Sequence, residues 1–235
     1  SWPLELQGLS LKNVAIRLEN LERGVAGPAG RAGKKKKRPV YEGFGEMLFT
    51  HFGVSGPLIL SASCHADFEE HPEGFALHLD LKPAMTQEEL ERRLEREFTL
   101  QPRKELRNAL KALLPERLAM LSAQLFAASL ENPSAEGGAD RPVYTLNEKE
   151  LRLLAAFLKD LTMTVTGTRG FAEAIVTKGG VSVKEINPST METRGIKGLY
   201  WAGEVLDVDA YTGGFNLQIA WSTGHLAGAS ACEED

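Results

Sequence analysis

The residues best suited to chemistry lie near the end of the chain, in LYWAGEVLDVDAYTGGFNLQIAWSTGHLAGA, Leu199 to Ala229. An apolar run, Leu199 to Ala202, stops at Gly203 and is followed by the acids Glu204, Asp207 and Asp209, then by Thr212, Gly213 and Gly214. From about Asn216 the pattern is helical. A carboxylate at the end of a strand accepts hydrogen bonds from sugar or ribityl hydroxyls, and glycines admit close backbone approach. A helix start presents unpaired N–H groups at a positive dipole end. The order suits a ligand with hydroxyls and a polarised or anionic group. The same residues also suit a plain glycine-rich turn that starts a helix, and spacing does not choose between the two. Ala220, Gly224, Ala227 and Gly228 would let that helix lie close to a sheet.

Other reactive types are sparse. His51, beside Thr50 and Ser55 in LFTHFGVSGP, is a weak catalytic candidate, because a lone histidine is more often structural. A reactive Ser55 would need a GxSxG elbow, which is absent. Lys34, Lys35, Lys36, Lys37 and Arg38 form a charge run that reads as a solvated loop. Cys64 and Cys232 have neither CxxC nor paired Cys/His spacing, so no disulfide framework, metal site or dithiol centre is expected. Trp201, Tyr211 and Phe215 could flank a flat ring or simply pack the terminal elements.

Positioning these groups falls to three blocks of sequence. Val14, Ile16 and Leu18 alternate as a strand, as do Phe75, Leu77, Leu79 and Leu81, and VYEGFGEMLFT reads as another. Ser55 and Pro57 open a short helix running to about Cys64. Thr86 and Glu89 make a capping box ahead of Leu90, Leu94 and Phe98. Pro102 opens a stretch with Leu106 and Leu110, and Pro115 one with Leu118, Leu121 and Leu125. Asn147 with Glu150 starts a fourth helix with Leu151, Leu154, Leu158 and Leu161 on its stripe. Strands return at Met163 and Val165, in AEAIV and in GVSVKEI. The order predicts a β-unit interrupted by a helical insertion.

Composition agrees with an ordinary globular protein. The 27 Lys plus Arg against 32 Asp plus Glu give a formal charge of -5, which argues against a protein that binds nucleic acid through bulk positive charge. No apolar stretch approaches the roughly 20 residues of a membrane span, and the first residues lack a secretory pattern. The reading is a soluble, cytoplasmic protein.

Two long motifs, GEMLFTHFGVSGP (Gly45 to Pro57) and GLYWAGEVLDVDAYTGGFNLQIAWSTG (Gly198 to Gly224), resemble the signatures of NAD(P)/FAD-dependent oxidoreductases of the BaiN-like, aminoacetone-oxidase-like type, within the glutathione-reductase-like flavoproteins. The preceding TKGGVSVKEINPSTMETR is similar as well. The resemblance implies an α+β to α/β fold: a translation-factor-like β-barrel (1–84 and 161–192) interrupted by a small helical domain (85–160), then the terminal strand and helix of a FAD-binding Rossmann domain (193–235). It implies FAD as cofactor, with NAD(P)H as candidate reductant and a small molecule as substrate. Gly203 and Glu204 match the pair whose acid meets cofactor hydroxyls, and Gly213, Gly214, Phe215, Asn216 and Leu217 the turn and helix start facing the flavin, with Asp207 and Thr212 as further contacts.

No GxGxxG fingerprint occurs in these residues. The resemblance therefore leads us to expect the C-terminal portion of a longer flavoprotein, inactive by itself and able to self-associate through an incomplete Rossmann segment. The alternative is a non-catalytic barrel and helical module that binds RNA or a protein through the lysine-rich loop.

Overall fold

A computed structural model describes residues 2–21, 38–130, 138–211 and 214–232. Lys34 to Lys37 fall outside the described residues, while Arg38 is exposed. The chain divides into two compact units, Ser1–Ile59 with His71–Thr166 and Leu60–Glu70 with Gly167–Asp235.

In the first unit, side chains two residues apart share a face, and this period builds the sheet. Strand β1 (Ser10–Asn20) buries Val14, Ile16 and Leu18, and β2 (Tyr41–Thr50) buries Met47 and Phe49. After β3 (Gly53–Ser55), β4 (Phe75–Asp80) buries Phe75, Leu77 and Leu79, and β5 (Leu161–Val165) buries Leu161 and Met163. The strands pair antiparallel in the order β3-β2-β1-β4-β5, so β3 and β5 are the two ends and the sheet is a half-barrel. Ser55 belongs to β3, opposite Leu48, and does not cap the next helix; Gly56, at φ +97°, makes the turn into α1 (Pro57–Ser63).

The helical insertion forms α2 (Gln87–Leu100), the single turn α3 (Leu106–Ala109), α4 (Glu116–Ser129) and α5 (Glu148–Lys159). Buried Leu90, Leu94 and Phe98 follow the expected stripe of α2, and α2 packs on α5 and α3 on α4. Leu161 starts β5 instead of extending the stripe of α5. At the exit of the insertion, Lys159 Nζ donates to Asp80 Oδ2 (2.7 Å), Lys82 O (3.0 Å) and Met85 O (2.6 Å), which ties the end of α5 to the segment where the insertion begins. Thr86 Oγ1 accepts from the Glu89 amide while the Glu89 carboxylate accepts from the Thr86 amide. Thr86→Ala is expected to lower stability by about 1 kcal/mol, read from urea unfolding followed by circular dichroism.

The second unit is mostly turns. Ile186, Met191, Leu206 and Ala227 form its buried core, with Tyr200, Trp201 and Leu226 packed around them. The strands expected in AEAIV and GVSVKEI are not formed. Phe171–Glu173 and Val183–Glu185 are 3-10 turns, and Val181 makes one isolated parallel bridge to Leu206. Phe171 and Ile175 are exposed, so apolar alternation there marks no buried face. The terminal strand expected at Leu199 to Ala202 is likewise an extended segment with a single bridge, Glu192 to Tyr200, because no ladder of backbone partners lies beside it among the described residues. The terminal helix is present as α6 (Phe215–Cys232). None of the described helices is long and apolar enough to cross a membrane.

Candidate functional site

The acidic loop of the second unit is shaped by backbone contacts that only glycine permits. Gly180 sits at φ +135°, and a Cβ there would lie 2.4 Å from Val205 O and 3.1 Å from the Asp207 amide nitrogen. This close approach lets the Val181 amide donate to Val205 O (2.8 Å) and the Asp207 amide donate to Val181 O (2.9 Å). Those two bonds hold a 3-10 turn, Gly203–Val205, and the residues just beyond it. Glu204 and Asp207 project from the segment with exposed side chains and no ion-pair partner among the described residues. Gly203 adopts φ +73°, and its amide donates to Thr223 Oγ1 (2.9 Å), whose hydroxyl in turn donates to Ile219 O (2.7 Å). The turn is thereby fastened to α6.

At the helix start, Gln218 N–H donates to Gly214 O (3.0 Å), and the amides of the residues before it belong to the first turn of α6. Gly214, at φ +89°, has open space where a Cβ would stand. Phe215 and Leu217 are exposed. Asn216 uses its side chain to hold the loop: its Oδ1 accepts from the Ala210 amide and its Nδ2 donates to Ala210 O, both at 2.8 Å. Thr212 and Gly213 lie outside the described residues.

His51 occupies an exposed turn between β2 and β3, edge-on to Phe52 with ring centroids 5.0 Å apart, in the first unit. Cys64 and Cys232 are unbridged. Burial pushes the Cys64 thiol above its ordinary pKa and nearby Asp209 raises it further, which favours the protonated, unreactive form. No cluster of three or more His, Cys, Asp or Glu side chains suited to a metal occurs among the described residues.

The structure therefore brings Gly203, Glu204, Asp207, Gly214, Phe215, Asn216 and Leu217 into one unit and leaves His51 in the other. Sequence reading passed over Gly180 as a functional residue. Its signal was the glycine pair Gly179–Gly180 where the second expected strand, GVSVKEI, begins, since glycine in a strand marks close backbone approach. An apolar groove of about 300 Å³, lined in part by Ile186, Met191, Leu206, Val208, Ile219 and Leu226, runs along α6 and was also not foreseen.

Comparison with known proteins adds a lineage. Residues 2–176 match the family described as HI0933-like protein barrel and H2TH domain. The chain is 34% identical over 189 residues to the ribosomal RNA dihydrouridine synthase of Escherichia coli, covering 80% of this chain and 42% of that protein. It is 33% identical over 187 residues to the Haemophilus influenzae protein of the same name, again 80% of this chain and 42% of the relative. It is 30% identical over 211 residues to the 3-dehydro-bile acid delta(4,6)-reductase of Clostridium scindens, 89% of this chain and 49% of the relative. The chain thus spans less than half the length of each of these relatives.

Proposed function

Because the chain belongs to the HI0933-like barrel and H2TH domain family, we propose that it serves as the flavin-side and substrate-covering part of a FAD-dependent oxidoreductase that saturates a carbon–carbon double bond. The observation that carries this reading is the family match over residues 2–176 followed by the acid- and glycine-bearing loop ahead of α6. The relatives' names share one chemistry: dihydrouridine is uridine with a ring double bond saturated, and a delta(4,6)-reductase removes carbon–carbon double bonds. In this reading residues 193–235 belong to the cofactor-binding domain, and 1–192 form the barrel with its helical insertion.

The residues fit FAD by the chemistry of their donors and acceptors. Exposed Glu204 and Asp207, which have no ion-pair partner among the described residues, would accept hydrogen bonds from cofactor hydroxyls. The first amides of α6, at the positive end of its dipole, would hold the electron-rich edge of the flavin ring, with Phe215 and Leu217 excluding water beside it. When bound, FAD supplies hydride transfer, drawn from NAD(P)H in our reading.

The test is to purify the protein that carries this chain at the full length of its relatives and look for flavin absorbance that NAD(P)H bleaches without oxygen. Recovery of colour on adding an unsaturated ketone points to a small-molecule substrate, and recovery with a uridine-bearing RNA to a nucleic-acid one. A colourless protein that takes up no added FAD rejects the proposal.

A further inference from the structure

Among the described residues, four partners fasten the loop from Gly203 to Tyr211 by hydrogen bonds, and three of them are local. Gly203 is held by Thr223, Asp207 by Val181, and Ala210 by Asn216, all from residues 181–223. The fourth comes from a distant part of the sequence. His65, two residues beyond α1, places its Nε2 2.7 Å from the Tyr211 hydroxyl, across 146 residues of chain. The two rings also lie tilted at 54° to one another, with centroids 5.9 Å apart. A phenol both donates and accepts, so the bond is available to either tautomer of the imidazole.

We propose that His65 is a positioning residue for the cofactor loop: through Tyr211 it fixes, from the end of α1, the stretch that Asn216 fixes from the helix side. The inference rests on the flavin reading of that loop given above. Ala210 and Tyr211 are adjacent, so the two pins act on neighbouring residues from two directions. Asn216 restrains the backbone at Ala210 with both polar atoms of its amide, yet it sits only six residues away and moves with the start of α6. His65 supplies a reference outside that segment. Both His65 and Tyr211 are exposed, and a hydrogen bond reached by water contributes little to global stability. Its loss should therefore free the loop without unfolding the unit.

The experiment is a mutant cycle of His65→Ala, Tyr211→Phe and the double variant, with His65→Gln added because a glutamine amide also offers a nitrogen donor and an oxygen acceptor. Two readouts are taken on the full-length protein: amide hydrogen exchange of residues 203–211, and the FAD dissociation constant together with turnover at saturating FAD. We expect each single variant to speed exchange of the loop by about 5-fold, the double to add nothing further, and His65→Gln to restore part of the protection. FAD affinity should weaken by a similar factor, and turnover at saturating FAD should fall less than affinity does. Unchanged exchange, or additive single effects, overturns the proposal. So does coupled exchange with unaltered FAD affinity, since the pair would then tie the loop without positioning the cofactor. If wild type takes up no FAD, the flavin reading fails by itself, and the proposed role falls with it even where the exchange cycle shows the tie.

Discussion

Gly180→Val is expected to abolish FAD retention and to destabilise the second unit by about 3 kcal/mol, with the half-barrel and its helices still folded. Two effects add at this position. The backbone stands at φ +135°, a conformation β-branched residues avoid, and the new Cβ would press to 2.4 Å on the carbonyl oxygen of Val205. That neighbour is backbone and cannot rotate away. Relief requires Val205 to Asp207 to move, which breaks the Val181–Val205 and Asp207–Val181 hydrogen bonds and carries Glu204 out of place. The unit's core is small, with Ile186, Met191, Leu206 and Ala227 as its buried members, and Leu206 lies inside the displaced stretch. Gly179→Ala is the matched control: at φ +99° it bears backbone strain, but nothing stands within 4 Å of the added Cβ. The control should lose less affinity and stability than Gly180→Val. Flavin retention after gel filtration and the fluorescence of Trp201 during urea unfolding measure the two effects. A Gly180→Val protein that keeps wild-type FAD affinity would show that this glycine does not set the loop.

Residues whose burial follows a short period were legible in the sequence. The alternation of β1 and β4 and the two capping boxes, Thr86 with Glu89 and Asn147 with Glu150, appear in the structure where the residue types put them. The same rule failed in residues 171–186, where apolar residues recur without a partner strand to bury them and the backbone falls into turns. Leu161 misled for a related reason: it satisfies a helical stripe and a strand alternation at once, and Asp160 between them ends the helix. In the candidate site the types were readable and the fastenings were not. Acids and glycines from Gly203 to Gly214 are plain in the composition and suit a ligand loop and a glycine-rich turn alike. The pairing of Asn216 with Ala210, or of His65 with Tyr211 across 146 residues, obeys no spacing that a sequence displays.

Arg141 is a stronger case of the same kind, since nothing in its sequence context singled it out. Its replacement by methionine is expected to cost about 3 kcal/mol. The side chain is 7% exposed. It donates through Nη1 to Glu150 Oε1 (2.9 Å), through Nη2 to Glu150 Oε2 (3.0 Å) and Thr145 O (2.8 Å), and through Nε to Thr145 Oγ1 (3.1 Å). Methionine fills much of the volume but leaves the Glu150 carboxylate and the Thr145 carbonyl without their partner, in a place where water only partly replaces it. Glu150 also closes the capping box of α5 by accepting from the Asn147 amide, so the loss reaches a helix start.

Acidity gives the second signature. The hydrogen bond from Arg141 is the main cause that holds the Glu150 pKa below the ordinary carboxylate value, which means the folded protein binds the proton less readily than the unfolded chain. The stabilisation is therefore present above the ordinary glutamate range and is lost as the pH falls through the depressed folded value. Wild type should lose this contribution on acidification below about pH 4, whereas Arg141→Met, lacking it already, should show a flatter decline. Urea unfolding across this range measures both slopes. Adding Glu150→Gln to Arg141→Met removes the uncompensated charge, so the double variant should be less destabilised than the sum of the singles. Strict additivity, with equal acid slopes in wild type and Arg141→Met, would show that the pair holds α5 by packing and not by charge.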